Sequence, residues 1–390
     1  MATGALSLIS QAVPGAQAGS DPLGVRGDFP ITGKRIHLNA AYTAAIPNAV
    51  VAAATAFAEG KALQPATVGD MLKVTEKVRA QYARLIGGSS EEIAFVASTS
   101  EGENLVANAI AWQAGDNVVT DDLHYESGFV IFRHLAQTRG VELRVVKNQG
   151  GAVTAADYAR VVDKRTRLLT LSYVSSLNGY RHDLKAMATL AHQFGAWLYV
   201  DGIQGVGAFP LDVHDTGIDF MCSGTYKWLL STYGIAPFYI RKDLIEKLPL
   251  DRYGWKHAKE LPDGNFEISH TASRFEYATL PFSEVYQLGA ALDYLERVGV
   301  DRIGTHVLAL AQRIREGLSA QGKRLFTPMN NASPTVTFYF DGDPAPVHAA
   351  FNSAQIDVTI RDKEKQIRVS PALYNNLEDV THFLEVVRKL

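Results

Sequence analysis

The stretch Tyr199-Val200-Asp201-Gly202-Ile203-Gln204, taken with Ser223-Gly224-Thr225-Tyr226-Lys227-Trp228 further along, decides how this chain is read. The run Ala196 to Val200 is short, unbroken and apolar, the pattern of a buried strand, and it delivers the carboxylate of Asp201 at its C-terminal end. A second run, Ile218 to Cys222, ends just before the amine of Lys227. An acid and then an amine at successive strand ends meet the needs of pyridoxal phosphate (PLP): a lysine to hold the aldehyde as a Schiff base, and a carboxylate to keep the pyridine nitrogen protonated. Lys227 precedes Trp228-Leu229-Leu230, an apolar setting in which a desolvated amine becomes a better nucleophile. Released during turnover, the same amine can serve as a general base.

Outward from these ends, apolar runs alternate with helical patterns between Glu91 and Ile240: Ile93 to Val96, Asn117 to Thr120, Leu143 to Lys147, Leu168 to Tyr173, Trp197 to Val200, Phe220 to Cys222 and Ile235 to Ile240. Such alternation predicts an α/β fold with a mainly parallel seven-stranded sheet covered on both faces, ligands lying beyond the carboxyl ends of its strands. Past Pro281 a helix pattern runs to Val298 and another from Ile303 to Ala320; strand patterns at Thr335 to Phe340, Ile356 to Ile360 and Gln366 to Ser370 and a last helix from Glu378 predict a small α+β C-terminal domain. The expected organisation is an N-terminal arm at 1–27, a large domain at 28–298 and a small domain at 299–390.

Composition narrows the function classes. A net charge of −3 without basic runs gives no footprint for nucleic acid, and no apolar run approaches the roughly 20 residues needed to cross a bilayer. The single cysteine, Cys222, excludes an internal disulfide and any thiolate zinc cluster, and its place inside an apolar strand reads as core; no metal site is expected. The first 27 residues lack the basic and long apolar regions of a signal peptide, which points to the cytoplasm. No G-x-G-x-x-G follows a strand, which disfavours a nicotinamide-dependent dehydrogenase.

Two more strand ends carry polar clusters. Ser98-Thr99-Ser100-Glu101-Gly102-Glu103 opens a helix after Ile93 to Val96, with Ser100 and Glu103 at capping-box spacing; amides and hydroxyls at a helix N-terminus form an anion site, and the PLP phosphate is its natural occupant. His124 follows the Asn117 to Thr120 strand.

From Ile36 onward the chain resembles the class V aminotransferase and cysteine desulfurase group of PLP enzymes, and within it the isopenicillin-N-epimerase-like branch. The resemblance implies the PLP-dependent transferase fold type I, with Lys227 as the cofactor lysine, Asp201 at the pyridine nitrogen, Gln204 at the phenolate oxygen, and Thr99 and Ser100 at the phosphate with help from Thr225 or Tyr226. It implies that His124 stacks on the pyridine ring and passes protons to substrate or leaving group. Arg274-Phe275-Glu276-Tyr277-Ala278-Thr279 is similar to a Phe-Glu-x-Gly-Thr segment whose threonine reaches the partner subunit's phosphate, which implies a homodimer with a shared active site. Arg361 and Arg368 match arginines near the substrate carboxylate, and Asn178 stands close to an asparagine position that Ser176 occupies here.

Desulfurases carry a nucleophilic cysteine between these two arginines; here that span is Asp362-Lys363-Glu364-Lys365-Gln366-Ile367, which argues against a persulfide-forming enzyme. A lyase that cleaves the C–S bond of a cysteine-derived amino acid ranks first, decarboxylation or oxidative deamination second, and transamination or epimerisation third. A PLP-fold binding module is the alternative of a different class, disfavoured because binding alone does not require Lys227.

Overall fold

The inner strands in the centre of the chain are largely apolar because they are sandwiched between helices. The computed structural model describes residues 21–390. A short β1 (Ile36–His37) precedes β2 (Ile93–Val96), β3 (Asn117–Asp121), β4 (Glu142–Val146), β5 (Thr166–Ser172), β6 (Trp197–Asp201), β7 (Phe220–Cys222) and β8 (Ala236–Ile240). The last seven form one sheet in the order β2-β8-β7-β6-β5-β3-β4, in which only β8 runs against the rest. The inner strands are buried along nearly their whole length, whereas the edge strand β4 is half exposed and polar, with Arg144 paired to Glu142 and Asp163. Because β2, β3, β5, β6 and β7 share a direction, their carboxyl ends open on one edge, which is where a ligand can reach several loops at once.

Helices α1 (Asn48–Leu63) and α2 (Val68–Leu85) pack along the helix Phe282–Val298, while α3 (Thr99–Ala109) and α4 (Glu126–Arg139) pack on each other and on the sheet. The chain then forms a hairpin of β9 (Ala258–Glu260) and β10 (Phe266–Ile268). Glu276 behind it is fully enclosed and binds Arg79 of α2, Lys256 and the Phe95 amide of β2, which ties this loop to the sheet edge.

The C-terminal unit is built from β11 (Val336–Tyr339), β12 (Ile356–Asp357), β13 (Thr359–Arg361) and β14 (Gln366–Val369). The order β11-β14-β13 is antiparallel, and its core gathers Leu310, Ile314, Phe338, Phe351 and Phe383. The Ile356 to Ile360 pattern predicts one strand; the structure breaks it at Val358, because its first half pairs with β1 and its second with β14. Leu38 joins the same core, so a segment that the sequence pattern assigns to the large domain completes the C-terminal unit. Two-residue strands carry no periodicity to reveal this. Of the expected arm, residues 1–20 lie outside the described residues; Val25 is buried and Arg26 binds Asp379 and the Tyr374 carbonyl. No helix among the described residues is long and apolar enough to cross a membrane.

Candidate active site

Lys227 lies in the loop after β7, 8% exposed, and its amine has no hydrogen-bond or ion-pair partner among the described residues. The loop is shaped by its neighbours: Thr225 donates to the carbonyls of Thr232 and Ile235, Trp228 donates to Gln204, and the Tyr226 carbonyl accepts the Ala44 amide. Burial pulls the amine pKa down to about 8, against the opposing pull of Asp201, and Arg368 lowers it further. Below that pH the amine is protonated and above it free. Covalent loading of PLP onto the cofactor-free protein should therefore accelerate as pH rises through about 8 and then level off. Stopped-flow absorbance checks this, and a midpoint close to the ordinary 10.5 would place the amine in solvent instead.

Asp201 at the end of β6 is 5% exposed; its Oδ1 accepts the Ile203 amide at 3.0 Å, and burial raises its pKa against the pull of His124 and Lys227. A carboxylate in that condition gains from a cationic partner. Gln204 is buried, giving one N–H to the Ala41 carbonyl at 2.8 Å and accepting from Trp228 at 3.0 Å, which leaves a second amide hydrogen for a ligand.

The capping box expected at Ser100 and Glu103 sits elsewhere. Helix α3 begins two residues earlier, with Ser98 accepting the Glu101 amide and Glu101 accepting the Ala97 amide. Glu103 is thereby released to face inward. Thr99 accepts the Gly224 amide, which docks the α3 terminus on the lysine loop, and half-buried Thr99 and Ser100 stand with the unpaired first-turn amides as an anion cradle. Thr225 takes no part in it, since both acceptors of its hydroxyl proton belong to the loop itself.

His124, Tyr226, Lys227, Arg361 and Arg368 line a single cavity of about 560 Å³, together with Tyr42, Tyr125 and Tyr233. Register explains the arginines: Arg368 of β14 faces Thr359, and Arg361 is two residues on in the same strand, so both project from one face. Arg368 donates to the Ser176 carbonyl at 2.7 Å and to Thr359 at 3.1 Å, and its buried Nε has no partner. Arg361 donates to the carbonyls of Ser176 and Leu177 and makes no ion pair with Glu364. Burial pushes both guanidinium pKa values down, and for Arg368 the adjacent Arg361 adds to it. A buried and a half-buried cation, neither paired with a carboxylate among the described residues, form a site for an anion.

Asn178 is not part of this cavity. Its side chain binds the carbonyls of Gly151 and Phe326 and the Tyr180 amide, so it pins a turn, while Ser176 lines the site and supplies the carbonyl that both arginines share. Thr279 lines a different, apolar opening beside Phe57, Leu280 and Tyr286. His124 is 3% exposed, and both ring nitrogens are occupied, Nε2 by Glu103 at 2.9 Å and Nδ1 by Ser172 at 3.0 Å. Tyr226 stacks on Tyr233 with centroids 4.3 Å apart, and burial pushes its phenol up to about 12.

The residues fit PLP: an unpaired amine, a desolvated carboxylate beside it, an anion cradle at a helix terminus and an imidazole ring held beside the cavity. The chain belongs to the class-V aminotransferase family, which matches it over residues 36–383. It is a PLP-dependent enzyme of fold type I. It is 32% identical over 302 residues to a probable cysteine desulfurase of Methanothermobacter thermautotrophicus, a match covering 76% of this chain and 75% of the relative. The apo structure of a cysteine desulfurase from Thermococcus onnurineus superposes with a TM-score of 0.86 at 26% identity, over 95% of this chain and 98% of that one. A C-DES variant with glycine covalently linked to its PLP cofactor shares the fold, with a TM-score of 0.86 at 20% identity over 94% of this chain and 99% of that one.

Proposed function

We propose that this enzyme cleaves the C–S bond of a cysteine-derived amino acid by β-elimination, working as a homodimer. The observation that carries the reading is the unpaired Lys227 amine in the same cavity as the buried Arg368 and half-buried Arg361 guanidinium groups, neither of which is paired with a carboxylate among the described residues. An amino acid satisfies all three, with its carboxylate at Arg368 and Arg361 and its α-carbon held near Lys227.

PLP, when bound, supplies the electron sink that makes the α-proton acidic. Lys227 would hold the cofactor, and its free amine would take that proton; Asp201 would hold the pyridine nitrogen, Gln204 the phenolate oxygen, and Thr99 and Ser100 the phosphate. The C–S bonding pair leaves with sulfur, and with one water consumed the products are a thiol, pyruvate and ammonia. Cleavage proceeds without an enzyme persulfide: the lone Cys222 is enclosed in β7, and β13 and β14 are joined by a turn of only Asp362 to Lys365. The relatives named as cysteine desulfurases support the sulfur substrate, and the turn from Asp362 to Lys365 contains no cysteine to take up sulfur.

The dimer rests on an apolar surface that one chain leaves open. Helix α1 has 16 residues, mostly alanine and valine, yet only Val50 is buried. Val51 and Leu63 are exposed, and Phe57 lines the same opening as Thr279, the threonine proposed to reach the partner's phosphate. Val51→Glu combined with Leu63→Glu should convert a dimer to a monomer in sedimentation velocity and remove most activity with it. A fully active monomer sinks the shared site.

Borohydride reduction of the purified protein followed by peptide mapping tests the reading as a whole. A pyridoxyl adduct on Lys227, with pyruvate and thiol released from cysteine conjugates, is the expected result. Carbon dioxide or an aldehyde as product would overturn the elimination.

A further inference from the structure

Glu103 is a buried charge in this region that the cofactor site does not use. It is 3% exposed inside α3, and its Oε1 lies 2.9 Å from His124 Nε2 while accepting the Thr170 hydroxyl at 2.8 Å. No lysine or arginine pairs with it among the described residues. On the far side of the ring, Nδ1 meets the Ser172 hydroxyl at 3.0 Å. Space for the contact is kept by Gly128 of α4: a Cβ there would stand 2.7 Å from His124 Nε2 and 2.9 Å from Glu103 Oε1. Helices α3 and α4, strand β5 and the loop after β3 thus converge on one carboxylate–imidazole contact.

A carboxylate enclosed in this way, without a basic side chain, is costly unless a proton-bearing cation faces it. Among the described residues, the His124 imidazole is the one such group in contact with it. We propose that Glu103 is a positioning residue that holds His124 as an imidazolium, both N–H groups committed to Glu103 and Ser172, so that the ring offers its face to the cofactor and no nitrogen to the leaving group. This rests on the PLP reading of the cavity and revises the part of it that would make His124 a proton carrier. The surrounding charges agree. Burial opposes protonation of His124, but Glu103 from α3, Asp201 from β6 and Asp121 from β3 outweigh it and raise its pKa, with the hydroxyls of Thr170 and Ser172 from β5 completing the shell. Asp121 is in turn shared with His182 and Tyr158, which leaves Glu103 as the one carboxylate in direct contact.

The test is nitrogen-15 NMR of histidine-labelled holoenzyme, with His124 assigned by its loss in His124→Gln. Both ring nitrogens should carry protons at pH 7, and Glu103→Gln should lower the proton affinity of His124 at least tenfold while borohydride still labels Lys227. A purely packing role for Glu103 would leave the titration midpoint where it is. A neutral His124 in the wild-type spectrum, or an unmoved midpoint in the variant, overturns the proposal, and the wild-type spectrum decides even if the variant does not fold. If the wild type takes no label at Lys227, the cofactor reading falls instead, and the His124 titration still judges Glu103 separately.

Discussion

Lys227→Ala should lower turnover by on the order of 10³- to 10⁴-fold, because the amine both anchors the cofactor and moves the α-proton, and no other base in the cavity is placed to replace it. The other titratable groups that line it are engaged or turned to solvent: His124 has both ring nitrogens held by Ser172 and Glu103, Asp122 accepts from Asn148, Glu126 is exposed, and the Tyr226 phenol is pushed up to about 12. Stability should move the other way. In the cofactor-free protein the folded-state pKa of Lys227 lies near 8, below its ordinary 10.5, so at neutral pH the buried ammonium opposes folding, and removing it should leave the melting temperature of the cofactor-free protein unchanged or raise it. Pyruvate release and differential scanning calorimetry check the two halves. A variant that keeps a tenth of wild-type turnover would remove Lys227 from the chemistry.

Arg368→Leu should reduce kcat/KM by about 10²- to 10³-fold, corresponding to roughly 3–4 kcal/mol for a buried, charge-assisted contact. The cause is electrostatic: Arg368 is 5% exposed, its Nε is unpartnered, and its acceptors among the described residues are a carbonyl and a hydroxyl. Arg368→Lys should recover little, since an ammonium cannot reproduce the planar fork that meets a carboxylate. Arg361→Leu should cost less, because that guanidinium is less deeply enclosed and spends three donor contacts on Ser176, Leu177 and Gln366. The direct measurement compares an amino acid with its amide. Wild type should prefer the acid strongly and Arg368→Leu should not; equal preference in both proteins would relocate the carboxylate site.

The sheet was legible because burial on both faces leaves an unbroken apolar run, and all seven runs in the sequence are strands within a residue or two of their expected ends. Asp201, Lys227, His124 and the α3 terminus were legible for a related reason, since each directly follows such a run and parallel strands bring those ends to one edge. Local motifs were less reliable. Ser98 and Ser100 both offer a capping spacing, and only the docking of Thr99 against Gly224 selects the first. Asn178 and Ser176 differ by two positions, and the turn geometry, invisible in composition, decides that the carbonyl of Ser176 faces the arginines.

What the amino-acid order determined by itself is which segments become strands and which reactive groups terminate them, because hydrophobic periodicity and chain direction are local properties. What only the tertiary structure decided is the company those groups keep: Glu103 against His124, Arg361 beside Arg368, Thr225 turned back into its own loop, β1 completing the C-terminal unit. Those pairings join elements distant in sequence, and desolvation and hydrogen-bond geometry, the forces that give them their chemistry, exist only once the elements are packed together.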